Sequence, residues 1–290
     1  MALRIAAPAK INLHLAVGQL APDGYHPVDT VLQTLAFGDT VSITLGGTGF
    51  TCTPDLGLAA DENLAWRAAR AMAEEFGHPL DMAIAVEKRV PAGAGLGGAS
   101  ADAAAVLVGL ATLWGAEAGD RRLVDIARSL GADVPFFLEG GAALFTGRGD
   151  VLARRLRALE APIVLVKPDT GVPTGAAYAA FDALGITAPV SADSLIEALE
   201  ADDVRGAASL LYNAMTPASV GLVPDVAEAL AHVAGSAGVF GAAMAGSGSA
   251  VFGICASTAS AEDCAAAARA AGLWAVSTRT QPEGCVVEAF

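Results

Sequence analysis

A glycine-rich segment between a strand-like stretch and a helix-like stretch constrains this chain most strongly. Residues 91–103 read PAGAGLGGASADA and contain four glycines. Glycine lets the backbone approach a ligand closely and adopt turns that other residues resist. A turn that leads into a helix presents free N–H groups and the positive end of the helix dipole, which bind anions such as phosphate. The alternative is a tight strand-to-helix connection in which the small residues serve only close packing.

The segment does not match the two commonest nucleotide-binding motifs. GxxxxGK[ST] is absent, which excludes a Walker A loop. Gly95-x-Gly97 begins a GxGxxG pattern, but the third glycine would fall at Ser100, and residues 113–116 carry no acidic residue for a ribose. The glycine pattern alone therefore indicates an anion site without identifying the fold.

Composition excludes some partners and permits a small anionic ligand. The formal net charge of −14 argues against nucleic acid and anionic membranes, since both attract a basic surface. No apolar stretch reaches the length of a membrane span, and Lys10 and Asn12 interrupt the N-terminal apolar residues, so we expect no signal peptide and a cytoplasmic location. The cysteines are scattered without metal-ligand spacing, and we expect reduced thiols and no zinc site. They are Cys52, Cys255, Cys264 and Cys285.

The first half of the chain is expected to mix strands and helices. In KINLHL, polar and apolar residues alternate, so Lys10, Asn12 and His14 are expected on one face of a strand. Further periodic segments are a strand over 80–86 and helices over 62–76 (capped by Asp61), 100–114 and 120–130.

The periodic pattern restarts near residue 160, which places a predicted domain boundary at 157/158. A strand over 163–166 is followed by alanine-rich helices to about residue 234. The chain then reads as strand, glycine-serine turn, strand, helix and strand. We therefore expect two domains that both contain helices and strands.

Three motifs in order and at matching spacing resemble those of the GHMP kinases (galactose, homoserine, mevalonate and phosphomevalonate kinases). They are PAKINLHL, PAGAGLGGAS and AMAGSGSAVFG. DGYH, DENLAWRAA and LGADVPFF extend the resemblance to members that phosphorylate a cytidine-diphosphate-linked methylerythritol. The resemblance implies an α+β, two-domain GHMP kinase fold. Its parts would be an N-terminal α/β sandwich domain (1–157) that binds ATP and catalyses, and a ferredoxin-like α+β domain (158–290).

The implied activity is ATP-dependent phosphorylation of the acceptor's 2-hydroxyl in the non-mevalonate isoprenoid precursor pathway. The resemblance makes Asp133 the catalytic base and pairs it with Lys10. Because Pro135 follows Val134, we expect extended backbone and a non-helical position for the Asp133 carboxylate. Taken alone, Asp133 also reads as a surface acid near a helix end, and Lys10 as an edge-strand lysine that discourages strand pairing.

The resemblance assigns Tyr25 and His26 to the cytosine, which their rings would sandwich or hydrogen-bond. A core tyrosine and a surface histidine remain the alternative interpretation. Further substrate-binding residues expected along the groove are Asn12, Thr170, Thr174, Gly246, Ser247 and Gly248.

ATP is expected to bind along the glycine-rich segment together with Mg²⁺. GHMP kinases usually show GLGSSA, with the second serine near Mg²⁺, whereas Gly98 and Ala99 stand there and Ser100 is the nearby hydroxyl. Phosphates and water would therefore hold Mg²⁺, and no protein metal ligand is assigned. The expected ATP-binding residues are Asn63, Lys88, Pro91, Ala92, Gly93, Ala94, Gly95, Leu96, Gly97, Gly98, Ala99, Ser100 and Ala101.

Two other functions remain open at this point. A sibling kinase acting on homoserine or mevalonate would not need Tyr25 and His26 for a base. A non-catalytic nucleotide-binding protein would keep the glycine segment but have no use for an Asp133–Lys10 pair. The sequence indicates small-molecule partners and no particular oligomeric state.

Overall fold

Two β-sheets, each covered by helices, organise the computed structural model, which describes residues 1–117, 119–185 and 190–288. The strands are β1 (Ala2–Val17), β2 (Val28–Leu45), β3 (Gly49–Thr53), β4 (Met82–Glu87), β5 (Ala142–Thr146), β6 (Val151–Leu156), β7 (Pro162–Lys167), β8 (Tyr212–Asn213), β9 (Val239–Met244), β10 (Val251–Cys255), β11 (Trp274–Arg279) and β12 (Val286–Val287). The helices are α1 (Leu64–Phe76), α2 (Gly98–Trp114), α3 (Arg121–Leu130), α4 (Val134–Glu139), α5 (Thr174–Leu184), α6 (Asp193–Glu200), α7 (Val204–Ser209), α8 (Thr216–Leu222), α9 (Asp225–Ala234) and α10 (Thr258–Ala270). The predicted mixture of helices and strands is confirmed.

The first sheet is built on the long antiparallel pair β1 and β2, which runs in register from Ala2 opposite Thr44 to Val17 opposite Val28. The ladder shifts between Pro8 and Lys10 and again between Asn12 and His14. Such irregularities re-aim side chains and are common beside active sites. In β1 they accompany three polar side chains that point into the protein, since Lys10, Asn12 and His14 are all buried.

Helix α2 packs across this sheet because it is apolar almost all round. Most of its residues are buried, and its glycine at 109 faces Ile5 and Ile43 so closely that an added Cβ would lie 2.7 Å from the Ile43 side chain. The small residue therefore sets the short helix-to-sheet distance. Because α2 begins at Gly98, its position against the sheet also fixes the glycine-rich segment that precedes it.

The second sheet has the strand order β11-β7-β10-β9, and all neighbouring strands are antiparallel. Helices α5 to α9 connect β7 to β9, and α10 connects β10 to β11. This order, with the first strand between the third and the fourth, is the ferredoxin-like arrangement that the resemblance implies.

Two short strands from the second half of the chain join the first sheet. β8 pairs parallel with β1 at His14 and Leu15, and β12 pairs antiparallel with β1 at Ile5 and Ala6. The predicted boundary at 157/158 falls between β6, which belongs to the first sheet, and β7, which belongs to the second sheet. Strands β8 and β12 then return to the first sheet.

Three local predictions are wrong. The cap of α1 is Asn63, whose side chain accepts from the Ala65 N–H at 2.9 Å, while Asp61 lies in a short 3₁₀ turn. Leu80 lies outside β4 and is exposed. Asp133 is not extended: its φ of −79° and ψ of −16° place it directly before α4, and Pro135 lies in that helix's first turn, where its missing N–H is tolerated.

None of the helices in the described part of the chain combines the length and the apolar content needed to cross a membrane. All four cysteines lie in this part and carry free thiols.

Candidate active site

The glycine-rich segment forms a loop whose backbone ends at the N-terminus of α2. Gly93, Gly95 and Gly97 have φ values of 64°, 76° and 76°, a left-handed conformation that glycine adopts at no steric cost. Gly97 is the N-cap residue of α2, and no side chain caps the helix there. The first N–H groups of a seventeen-residue helix therefore remain for a ligand, together with the positive end of its dipole.

Close packing requires two of these glycines. A Cβ on Gly95 would lie 2.0 Å from the carbonyl oxygen of Ala245, and one on Gly97 would lie 2.7 Å from the ring of Phe137. Ala250 donates its N–H to the Ala94 carbonyl at 3.1 Å. The loop is thus held against residues 245–250, the third glycine motif.

Lys10 and Asp133 meet beside this loop. Lys10 Nζ lies 3.4 Å from Asp133 Oδ2, the lysine side chain is 4% exposed, and the aspartate is 35% exposed. The Lys10 N–H donates to the Leu96 carbonyl at 3.0 Å, so the glycine loop occupies the edge of β1 where a neighbouring strand would pair. The structure therefore brings together the two predicted catalytic residues, and Lys10 is not an exposed edge-strand lysine.

Asn12 joins the first and the third sequence motifs. Its Oδ1 accepts from Lys10 Nζ at 2.9 Å and from the Gly246 N–H at 2.8 Å, while its Nδ2 donates to Thr30 Oγ1 at 2.9 Å. With these atoms engaged, Asn12 fixes the lysine ammonium relative to the third glycine motif. Its side chain lines the cleft but is committed to internal hydrogen bonds.

The glycine loop separates two cavities. One, of about 360 Å³, is lined by Lys10, Asp133, Thr174, Tyr178 and Ser247. The other, of about 280 Å³, is lined by the loop and by the exposed side chains of Leu56 and Leu58. Three loop residues line both cavities: Gly95, Gly97 and Ser100. A group bound on the loop can therefore be reached from the Lys10–Asp133 side.

The second half of the chain supplies the opposite wall of the first cavity. Thr174 Oγ1 lies 3.1 Å from Ser247 Oγ, and Gly246 lines the cavity with them. Burial and the Asp133 carboxylate raise the pKa of Tyr178, which places this phenol near the predicted base. Thr170 is exposed and is not among the lining residues, so the structure does not bring it to the cleft.

Tyr25 is exposed and the His26 side chain is buried, the reverse of the core tyrosine and surface histidine of the alternative interpretation. Tyr25 is 53% exposed, with the guanidinium of Arg148 stacked 3.7 Å from its ring centre. The His26 side chain is buried and stacks on Tyr178 at 5.1 Å, with Nδ1 2.9 Å from the Gly18 carbonyl oxygen. The two rings do not face each other as a sandwich for a base, because each stacks on another side chain. Both nevertheless line a third cavity of about 370 Å³.

Lys88 is buried in an ion cluster behind the glycine loop. Its Nζ donates to Asp39 Oδ2 and, at 2.7 Å, to Asp102 Oδ2. Asp39 Oδ1 accepts from the Val90 N–H at 2.8 Å, which ties the cluster to the chain that leads into the loop. The ammonium predicted to reach the nucleotide is thus engaged by two carboxylates, and Asn63 serves as the cap of α1.

Three residues of the site lie outside the motifs and were not predicted from the sequence. Arg148 lies in TGRGD, the turn between β5 and β6. Tyr178 was hidden in an alanine-rich helix. Asn213 donates through Nδ2 to the carbonyl oxygens of Met244 and Gly246, both at 2.8 Å, and shapes the third motif. An arginine between two glycines was the one local signal that could have been followed.

Comparisons with known proteins agree with this geometry. The family model described as GHMP kinases N terminal domain matches residues 63–141, and the one described as GHMP kinases C terminal matches residues 195–272. A 4-diphosphocytidyl-2-C-methyl-D-erythritol kinase from Desulfitobacterium hafniense (strain Y51) is 40% identical over 278 residues, covering 96% of each chain.

Solved structures point the same way. A crystal structure of 4-(cytidine 5'-diphospho)-2C-methyl-D-erythritol kinase has a TM-score of 0.82 and 35% identity, covering 96% of this chain and 99% of that one. A homoserine kinase from Cytophaga hutchinsonii shares the fold, with a TM-score of 0.75, 19% identity and coverage of 99% and 97%. Both domain models, the close relative and the shared fold support one assignment: this chain is a member of the 4-diphosphocytidyl-2-C-methyl-D-erythritol kinase family of GHMP kinases, which are ATP-dependent small-molecule kinases.

Proposed function

We propose that this protein transfers the γ-phosphoryl group of ATP to the 2-hydroxyl of 4-diphosphocytidyl-2-C-methyl-D-erythritol, a step of the non-mevalonate isoprenoid precursor pathway. The observation that carries the proposal is the Lys10–Asp133 pair, 3.4 Å apart, which lines one cleft together with the glycine loop. Phosphoryl transfer needs a bound triphosphate and a hydroxyl aimed at its γ-phosphorus. The two cavities on either side of the loop meet that need.

Asp133 accepts the proton of the attacking hydroxyl in this proposal. Its carboxylate is partly exposed to the cleft, so a substrate hydroxyl can reach it. Lys10 contributes positive charge where the attacking oxygen and the transferred phosphoryl group meet, and Asn12 holds that ammonium in place. The bond from the hydroxyl oxygen to the γ-phosphorus forms as the bond to the β-phosphate oxygen breaks, and ADP leaves.

ATP binds with its phosphates on the glycine loop and its base in the 280 Å³ cavity. The free N–H groups at the start of α2 and the helix dipole stabilise the phosphate charge. Leu56 and Leu58 offer an apolar wall of the kind that a flat nucleobase covers. Lys88 supports the loop from behind and does not donate directly to the nucleotide in this proposal.

Mg²⁺ accompanies ATP in the proposal and is held chiefly by the phosphates. In the described part of the chain no group of three or more histidine, cysteine, aspartate or glutamate side chains could hold a metal ion. The Ser100 hydroxyl on the glycine loop is a hard oxygen donor of the kind that suits Mg²⁺. When bound, the ion neutralises phosphate charge.

The domain division belongs to the proposal as well. Residues 1–157 form the ATP-binding and catalytic domain, and residues 158–290 form the C-terminal GHMP kinase domain, which supplies Thr174, Tyr178 and the third glycine motif to the cleft. We also propose that the enzyme works in the cytoplasm, where ATP is available.

The test measures ADP formation with 4-diphosphocytidyl-2-C-methyl-D-erythritol, homoserine or mevalonate as acceptor. We expect turnover with the first acceptor, a phosphomonoester on its 2-oxygen by ³¹P NMR, and background rates with the others. Turnover with homoserine or mevalonate instead would show that the proposed acceptor is wrong. ATP binding without turnover of any acceptor would favour a non-catalytic nucleotide-binding protein.

Asp133→Asn tests the base within the same assay. Turnover should fall by on the order of 10²–10⁴, the usual contribution of a positioned base, while ATP affinity by calorimetry stays at the wild-type value. Asp125→Asn on α3, which removes an exposed carboxylate, is the matched control and should keep wild-type turnover. Wild-type turnover in a folded Asp133→Asn protein would show that Asp133 is not the catalytic base.

A further inference from the structure

Arg148 is held rigidly on the turn between β5 and β6. Gly147 and Gly149 on either side of it have φ values of 71° and 87°, and the Arg148 N–H donates to Asp150 Oδ1 at 3.2 Å. The guanidinium lies on the ring of Tyr25, 3.7 Å from its centre, and Arg148 Nη2 donates to Asp23 Oδ2 at 3.0 Å. An aromatic face and a carboxylate therefore fix the orientation of an arginine that is half exposed.

Asp23 is part of the same construction. It accepts from the Tyr25 N–H at 3.1 Å, and this hydrogen bond and the one from Arg148 lower the pKa of its carboxyl group. Its charge therefore persists at neutral pH and keeps the guanidinium in place. A guanidinium has five N–H donors, and the hydrogen bond to Asp23 uses one of them.

Arg148 lies where two cavities meet. It lines the 360 Å³ cavity that holds Lys10 and Asp133, and it also lines the 370 Å³ cavity that holds Tyr25 and His26. Among the described residues that line these two cavities, the lysine and arginine side chains are Lys10 and Arg148. Lys10 is bound to Asn12 and Asp133 and lines the first cavity only, so Arg148 is the cation that the two cavities share.

We infer that Arg148 binds the diphosphate of the acceptor, which lies between the cavity lined by Tyr25 and His26 and the reaction centre at Lys10 and Asp133. The inference rests on the proposed function, because that acceptor carries a cytidine at one end, the reacting hydroxyl at the other, and two phosphates between them. With the ends at the two cavities, the phosphates fall at their junction. The planar guanidinium matches two phosphate oxygens at once, and a chain with a net charge of −14 needs such a local cation to hold a dianion.

Paired ligands separate this function from stacking on the base. CDP and cytidine differ only in the diphosphate, so calorimetric titration of each into wild-type protein and Arg148→Gln isolates the phosphate contact. We expect Arg148→Gln to weaken CDP binding by about ten- to a hundredfold, the size of a charge-assisted hydrogen bond, and to change cytidine binding by less than about twofold. Arg148→Lys, which keeps the charge but not the fork, should fall between wild type and Arg148→Gln.

Arg155→Gln is the matched control, because this exposed arginine follows on the same hairpin and pairs with Glu139 at 2.6 Å, away from both cavities. It should keep wild-type affinity for both ligands. In turnover, Arg148→Gln should raise the KM for the acceptor and leave the KM for ATP unchanged.

Equal losses of CDP and cytidine affinity in Arg148→Gln would overturn the inference in favour of a base contact, and an unchanged CDP affinity would overturn it outright. Either result, obtained while the wild-type protein phosphorylates 4-diphosphocytidyl-2-C-methyl-D-erythritol, leaves the proposed function standing. A wild-type protein that binds neither CDP nor cytidine and does not phosphorylate this acceptor overturns both.

Discussion

Replacing Asp102 by asparagine tests the buried ion cluster behind the glycine loop. Asp102 is 3% exposed within α2, and its Oδ2 shares the Lys88 ammonium with Asp39. Its Oδ1 has no hydrogen-bond partner among the described residues. Two buried carboxylates therefore face one ammonium, an arrangement that favours a proton on one of them.

The raised pKa of Asp102 sets the expected change in the free energy of unfolding with pH. Burial raises the pKa of its carboxyl group from 3.8 to about 7; Lys88 acts in the opposite direction and Asp39 adds to the rise. Between these two values the folded state holds a proton that the unfolded state has lost, so the stability contributed by this group falls as pH rises towards 7. From pH 5.5 to pH 8.5 the loss is about 2 kcal/mol, since each pKa unit corresponds to about 1.4 kcal/mol.

Asp102→Asn mimics the protonated side chain and removes this pH dependence. We expect the variant and the wild type to have similar free energies of unfolding at pH 5.5, and the variant to be more stable by about 2 kcal/mol at pH 8.5. Urea denaturation followed by circular dichroism at several pH values measures the difference. Titrating groups away from the cluster are common to both proteins and cancel. Burial raises the pKa of the nearby Cys285 thiol, with a smaller contribution from Asp102, so this thiol stays protonated over the pH range used.

Asp61→Asn is the control, because its carboxylate is 72% exposed and pairs with Arg70 at the surface. It should follow the wild-type pH profile. A difference between Asp102→Asn and wild type that stays constant with pH, or that grows towards low pH, would refute a shared proton in the cluster.

Two further predictions concern the support and the packing of the glycine loop. Lys88→Met leaves Asp39 and Asp102 buried without their counter-charge and should lower the free energy of unfolding by about 3–5 kcal/mol in urea denaturation at pH 8, with partial recovery in the double variant with Asp102→Asn; a loss below about 1 kcal/mol would contradict the burial of this charge. Gly95→Ala places a Cβ 2.0 Å from a backbone carbonyl oxygen of the third glycine motif, so it should abolish ATP binding in calorimetry and lower the melting temperature. In Gly93→Ala the Cβ would meet nothing within 4 Å, so this control should lose only the roughly 1–2 kcal/mol of folding stability that a left-handed alanine costs. Equal effects of the two substitutions would show that packing against that motif is unimportant.

Local sequence patterns were sufficient for the features that depend on neighbouring residues. The glycines at 93, 95 and 97 adopt the left-handed backbone that their lack of a side chain permits, and the apolar stretch after them forms α2. The strand order of the second sheet and the meeting of Lys10 with Asp133 followed from motifs whose order and spacing match a known family. A short segment carries the information for the loop and the helix, whereas the two long-range features were implied by the family resemblance.

Environments set by distant residues could not be predicted in this way. Lys88 finds its partners 49 residues earlier and 14 residues later, so its burial is invisible in any local pattern. His26 is buried because it stacks on Tyr178, which comes from the second half of the chain.

The sequence by itself determined that a glycine-rich loop suited to an anion precedes a helix, because glycine conformation and helix N–H groups are local properties. Only the tertiary structure decided which charges serve that loop. It placed Lys88 behind the loop, Lys10 beside it and Arg148 at the junction of two cavities. The physical reason is that the ionisation of a charged side chain and its availability to a ligand depend on the counter-charges and the burial around it. Strands and turns that are far apart in the chain supply both.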